Sequence, residues 1–330
     1  MSASARQARL LTLEIRPPRL LSISEDGAVL NVLIADLGGT PDGIQVDRQR
    51  GHIYWTNMGE DFDVPDGTLE RCELDGTQRI MLIGDGQIVT LKQLVLTADH
   101  MYWCDREGMA VVRARRDGTQ LEELVRRGRG ADDRTDVLRH CVGIAIDEKN
   151  GYVYWTQKGP DDGGDGRIFR APLQLRPGES PDVRSDIELI IEELPEPIDL
   201  ALDGDTGTLY WTDRGGPPDG NSLNQARISA LGLVEHEVIT RGLKEGIGLT
   251  LNLAARVAYV TDLGGQLLRI HLDTSASTVL RTLGPLTGSF TTFRAEWPVL
   301  QCSGVPSRKF VVIRHEGYPE ITDGCKRIVD

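Results

Sequence analysis

The stretch Gly51-His52-Ile53-Tyr54-Trp55-Thr56-Asn57 constrains this chain more than any other, because the chain keeps making it. Later copies read Tyr102-Trp103-Cys104-Asp105, Tyr154-Trp155-Thr156-Gln157, Tyr210-Trp211-Thr212-Asp213 and Tyr259-Val260-Thr261-Asp262. The tyrosines are 48, 52, 56 and 49 residues apart. A repeat of roughly 40–50 residues is the period of a propeller blade.

Each repeat carries more than its Tyr-Trp core. In the first, Pro41–Asp47 precedes a turn, Ile53–Asn57 follows, and a long loop leads to Leu69–Leu74. Asp75-Gly76 then separates that run from Gln78–Ile83. These are short runs rich in strand formers and punctuated by turn chemistry, and Asp-Gly between two of them signals a hairpin. Four antiparallel strands per repeat result. Leu286–Phe293 matches a first strand, after which the pattern stops. Its missing partners are found near the other end: Leu20–Gly27 resembles Leu69–Gly76, Leu30–Ile34 fits a fourth strand and Leu10–Ile15 a second. The expectation is an all-β, six-bladed β-propeller over residues 1–294, its ring closed by N-terminal strands joining the C-terminal blade. Such closure leaves no open sheet edge at the seam. Residues 295–330 are read as a C-terminal tail, a lid or packing segment punctuated by Trp297, Phe310 and Tyr318.

Within a strand, Tyr and Trp point to opposite faces. Both faces of a blade meet neighbouring blades, so both rings are read as packing, and the closing Asp or Asn as a bond to nearby backbone.

The repeats resemble the YWTD repeats, the class B repeats of the low-density-lipoprotein receptor family, over about Leu20–Phe293. Cys104 for Thr, Val260 for Trp, and Asn57 and Gln157 for Asp depart from that pattern. The resemblance implies a six-bladed propeller. No EGF-like cysteines flank the repeats, so the receptor's ligand-binding role does not follow from fold alone.

Net charge is −13, which disfavours a nucleic-acid partner. The basic run Arg113, Arg115, Arg116, Arg126, Arg127 and Arg129 is diluted by Glu122, Glu123, Asp132 and Asp133 and is read as a solvated loop. Five scattered cysteines form no disulfide framework, no run is long enough to span a membrane, and Glu14 interrupts any signal-peptide core. A cytoplasmic protein is expected.

Chemistry is expected at the channel mouth, where the loops entering each first strand meet those joining second to third strands. The second set is long and acidic: Met58–Thr68, Lys158–Gly166 and Arg214–Asn224. Its Asp spacing does not fit a helix-loop-helix calcium loop, and no metal ligand or cofactor is assigned. No nucleophile motif of the Gly-x-Ser-x-Gly or His-Glu-x-x-His kind occurs. Lys158 and His140 are the candidate catalytic groups. Asp42, Met58, Phe62, Gln93, Glu196, Arg214, Glu245 and Trp297 are candidate substrate contacts, Trp297 from a lid.

A free-standing YWTD-type propeller is similar in architecture and setting to the fungal hetero-Diels–Alderases of tropolone sesquiterpenoid biosynthesis, a similarity that carries no catalytic residue across. It implies a small-molecule substrate pair: a polar aromatic quinone methide, formed by loss of water from a hydroxymethyl tropolone, and an apolar humulene-type terpene. Such a cycloaddition needs a pocket that orders two reactants and donors aimed at the oxygen gaining charge. Two other readings stand beside it, a non-catalytic protein- or ligand-binding propeller and a metal-dependent lactonase or hydrolase.

Overall fold

The structure is a computed structural model in which residues 9–291 are described. In chain order, β1 (Arg9–Ile15), β2 (Pro18–Ser24) and β3 (Leu30–Ile34) come first. Blade 1 follows as β4 (Pro41–Asp47), β5 (His52–Asn57), β6 (Thr68–Glu73) and β7 (Ile80–Ile83). Blade 2 is β8 (Leu91–Leu96), β9 (His100–Asp105), β10 (Ala110–Arg115) and β11 (Glu122–Arg126). A short helix, α1 (Gly130–Arg134), leads to blade 3: β12 (Cys141–Asp147), β13 (Tyr152–Gln157), β14 (Gly166–Pro172) and β15 (Glu188–Leu194). Blade 4 is β16 (Pro197–Asp203), β17 (Thr208–Asp213), β18 (Ser222–Ser229) and β19 (Gly232–Arg241). Blade 5 is β20 (Gly246–Asn252), β21 (Val257–Asp262), β22 (Gln266–His271) and β23 (Ser277–Thr282), and β24 (Leu286–Thr291) ends the described chain.

Each of the six sheets has four strands, and the sixth runs β24-β1-β2-β3. Thr12 of β1 stands opposite Ser289 of β24, so the N-terminal strands complete the last blade as the sequence predicts. By this register Leu11-Thr12-Leu13-Glu14 occupies the slot that the other blades fill with Tyr-Trp-Thr-Asp.

The two faces of each core motif pack in opposite directions around the ring. Tyr54 shares a cluster with Trp103 of the next blade, Tyr102 with Trp155, Tyr154 with Trp211, and Tyr210 with Val260. At the seam Tyr259 meets Leu10, and Leu11 and Leu13 meet Trp55. The four tryptophans are fully buried. An aromatic ring of this size contributes about 4–6 kcal/mol of gross burial energy.

The motif threonine has a second task. Thr156 Oγ1 accepts the Gly143 N–H of its own blade (2.7 Å) and donates to the Ile198 carbonyl of the next (2.8 Å). Thr56 joins Gly43 to Lys92 in the same way, and Thr212 donates to Ile247. Cys104 makes only a long thiol contact with the Gly143 carbonyl, 3.4 Å. In blade 6, where Leu13 fills the slot, Thr287 of β24 donates to the Pro41 carbonyl instead. First strands approach so closely that a Cβ on Gly143 would lie 1.9 Å from the Ile198 oxygen. The Tyr-Trp rings therefore fill the wedges between blades, and the threonines tie the blades together near the axis.

No helix among the described residues is long and apolar enough to cross a membrane. Trp297, Phe310, Tyr318 and the proposed tail at 295–330 lie outside the described residues.

Candidate functional site

In each blade the second strand ends where the first begins, so the residue closing the motif can bond both loop sets of one ring face. Asp213 Oδ1 accepts the N–H groups of Glu196 (2.7 Å) and Gly215 (3.3 Å). Asp105 accepts those of Thr90 and Gly108, Asn57 those of Thr40 and Gly59, and Asp262 those of Lys244 and Gln266. Glu14 does the same work in blade 6 through Gly284 N–H. Burial pushes the Asp213 carboxyl up to about 7 against these bonds, with nearby Glu196 and Asp219 adding to the rise. Gln157, the third copy, is fully buried with both amide atoms unpartnered among the described residues.

The next residue outward stands on the rim: Met58, Arg106, Lys158, Arg214 and Leu263. Lys158 Nζ lies 2.5 Å from Asp161 and 3.6 Å from Glu196. Arg214 reaches Glu196 at 2.9 Å, Asp161 at 3.1 Å and Glu245 at 3.8 Å. Glu196 is buried and also accepts the Asp162 N–H. Asp161 is exposed, and its bond to Lys158 holds its carboxyl below the usual range. Three candidate residues from the sequence, Lys158, Glu196 and Arg214, are thus brought into one network, with Glu245 at its edge.

His140 is buried, and its Nε2 donates to the Arg134 carbonyl (2.8 Å). Burial lowers its pKa, which keeps the ring neutral. Toward blade 2, Arg106 pairs with Glu107 at 2.5 Å and lies 5.0 Å over the half-exposed Phe62 ring, while Met58 is buried.

Below the rim, the second residue of every first strand is buried: Asp42, Lys92, Val142, Ile198, Ile247 and Thr287. These six fill the centre of the ring at that level. Asp42 and Lys92 form an ion pair at 2.6 Å, and burial depresses the lysine pKa even though Asp42 opposes the shift. Asp42 Oδ2 and Gln93 Nε2 have no partner among the described residues. Asp42 and Gln93, candidate substrate contacts by sequence, are both buried. Val142, Ile198 and Ile247 form an apolar floor, with Leu263 packed against it. The mouth therefore has two parts: the apolar residues Val142, Ile198, Ile247 and Leu263, and an ion-paired rim in which Lys158 and Arg214 are matched by Glu196, Asp161 and Glu245. Among the described residues no three His, Cys, Asp or Glu side chains gather as metal ligands.

Sequence reasoning missed Lys92 and Glu107, and gave Arg106 and Asp161, at the mouth, no role. Lys92 was discoverable, since it stands in its repeat where Asp42 stands in the first.

No family model matches the chain. It is 45% identical over 287 residues to a protein of Pyricularia oryzae named low-density lipoprotein receptor-related protein 1, covering 83% of this chain and 92% of that one. It is 38% identical over 274 residues to the Cochliobolus heterostrophus 3-hydroxyacyl-CoA dehydrogenase-like protein LAM1, covering 79% of this chain but 57% of that protein's length. Among solved structures it superposes on a chain of a nidogen/laminin complex with TM-score 0.67 at 18% identity, covering 87% of this chain and 98% of that one. A luciferin-regenerating enzyme superposes with TM-score 0.54 at 12% identity, over 76% and 80% of the two chains. These structural likenesses establish the propeller fold. With the extent and identity of the Pyricularia match, the chain belongs to the family of that fungal low-density-lipoprotein-receptor-related protein.

Proposed function

We propose that the mouth over blades 3–5 is the active site of a cofactor-independent hetero-Diels–Alderase, joining a tropolone quinone methide to a humulene-type terpene. The observation that carries this reading is the pairing of an apolar floor, Val142, Ile198, Ile247 and Leu263, with the donors Lys158 and Arg214 on the rim directly above. The floor orders the hydrocarbon beside its partner, which removes much of the entropic cost of bringing two molecules together. The donors face the ring oxygen, where negative charge grows as the quinone methide becomes aromatic. Asp161, on an exposed loop, yields Lys158 to that oxygen when substrate enters. His140, neutral and with Nε2–H committed to Arg134, takes the tropolone hydroxyl proton at Nδ1 and passes it to the departing hydroxide, so that one water leaves and the imidazole returns to neutral. Phe62 and Met58 border the site on the blade 1 side. A fungal relative whose name refers to 3-hydroxyacyl-CoA dehydrogenase is in keeping with a metabolic setting.

The test is incubation of the purified chain with the hydroxymethyl tropolone and humulene, without metal or cofactor. One product stereoisomer in excess over the spontaneous mixture is expected. Lys158→Met should lower turnover by about 10²-fold, the usual cost of one oxyanion donor. A product mixture identical to that formed without protein overturns the proposal.

The ion-paired state of the rim favours a second reading, a non-catalytic module that binds a charged ligand or protein loop by exchanging these pairs. Turnover separates the two readings. The metal-dependent hydrolase finds no ligand set among the described residues.

A further inference from the structure

The basic run of blade 2 does not stay together. Arg126 closes β11, and Arg127 and Arg129 follow it at one end of its sheet, whereas Arg115 closes β10 and Arg116 follows it at the other. There, on the ring face opposite the mouth, they meet Arg50 from the β4–β5 turn and Arg71 from β6. These four arginines, with His52 and Tyr54, line a groove of about 410 Å³ between blades 1 and 2.

The four guanidinium groups are not equivalent. Arg116 is a fixed floor: it bonds Asp47 at 2.7 Å and the Thr97 carbonyl at 2.7 Å, and lies 4.8 Å over the Tyr54 ring. Its Nε is buried with no partner among the described residues. Arg50 shares the same Asp47 at 3.0 Å. Arg71 lies against the His52 ring, 2.6 Å from Nε2, and Arg115 bonds only the neutral Gln120 amide. Among the described residues neither Arg71 nor Arg115 forms an ion pair. Four arginines face two rim carboxylates, Asp99 and Asp117, with Asp47 behind and Glu73 3.4 Å from His52 Nε2. The groove thus concentrates positive charge in a chain of net charge −13.

We propose that this groove is an anion site for the phosphate group of a small phosphate monoester. Guanidinium groups match phosphate oxygens with paired, charge-assisted hydrogen bonds. Arg71 and Arg115 are the groups able to turn to it, while Arg116 and Arg50, braced by Asp47, hold the floor. The cavity is larger than a phosphate ion, and Leu82 and the Tyr54 ring give its remainder an apolar wall for the ester's organic part. The turns that build it lie at the opposite ends of the strands from Lys158 and Arg214, so this site and the mouth can be tested separately.

The experiment is titration calorimetry of the full chain with phenyl phosphate, and with phenol as the uncharged counter-probe. Saturable binding of phenyl phosphate, weakening as salt rises, is expected. Arg71→Ala and Arg115→Ala should each weaken it about tenfold or more, the scale of one hydrogen bond to a charged group, with unchanged melting temperature. Arg241→Ala, which loses an exposed pair with Asp219 and a bond to the Pro218 carbonyl far from the groove, should bind as the wild type does. No saturable binding, equal binding of phenol, or undiminished affinity in both groove variants overturns the proposal.

Discussion

Replacing Thr156 with valine tests the idea that the motif threonines tie blade to blade. Valine keeps the shape and strand preference and removes only the hydroxyl. Two buried partners are then left without a bond, the Gly143 N–H at 2.7 Å and the Ile198 carbonyl at 2.8 Å. Each orphaned group costs about 1–3 kcal/mol, so about 2–5 kcal/mol is expected for the pair once the added methyl is credited. For a unit of about 280 residues, an unfolding entropy near 2.1 cal/mol/K per residue gives about 0.6 kcal/mol per kelvin. Differential scanning calorimetry should therefore show a melting temperature about 3–8 °C below wild type. Thr156→Ser keeps the hydroxyl and should recover most of the loss. The reverse change, Cys104→Thr, replaces a 3.4 Å thiol contact with a hydroxyl and should stabilise by about 0.5–1.5 kcal/mol. A valine variant melting within about 1 °C of wild type, or a serine variant as damaged as the valine one, would refute the reasoning.

Three further outcomes follow from the same geometry. The Asp213 carboxyl, raised from 3.8 to about 7, binds a proton in the folded state that the unfolded chain has released, so its contribution to stability falls as pH climbs from about 4 to 7 and is level above. Asp213→Asn should flatten that part of the melting-temperature profile over about pH 5–7; an unchanged slope would assign the effect elsewhere. Gly143→Ala drives a Cβ into the Ile198 carbonyl and should cost at least about 3 kcal/mol by thermal melting, since backbone on both sides must yield. Gly204→Ala, with nothing within 4 Å of the new Cβ, should stay within about 0.5 kcal/mol of wild type.

The ring was legible in the sequence because the packing that holds it, two large side chains per motif facing opposite ways, recurs at a readable period. Even the seam could be read, since Leu20–Gly27 repeats the turn chemistry of Leu69–Gly76 and β1–β2–β3 form where that likeness puts them. The hydroxyl links between blades could not be, because Thr156 meets Ile198 42 positions away through a backbone oxygen that no residue type announces. The site was legible in part for a related reason. Lys158, Glu196 and Arg214 were placed on the rim by their position after or before a motif strand, and their network required only that placement. The plug of the channel depended on which side chains share one level of the axis. Asp42 looks like channel lining until Lys92, 50 positions on, stands beside it in space. His140 stands at the mouth by its place before β12, yet its orientation is fixed by the carbonyl of Arg134, the last residue of α1, a helix the strand pattern does not foretell.

The pairing of β1 with β24 also sets a schedule. Thr12 leaves the ribosome 277 positions ahead of Ser289, its opposite number. At about 5–20 residues per second, that is a wait of roughly 15–55 s with the hydrogen-bonding edge of β1 uncovered. Throughout that interval the apolar face that will meet Trp55 has only nascent chain or a chaperone to shelter it. The last blade is thus begun first and finished last, and translation rate, more than local strand propensity, determines how long it is vulnerable to a wrong partner.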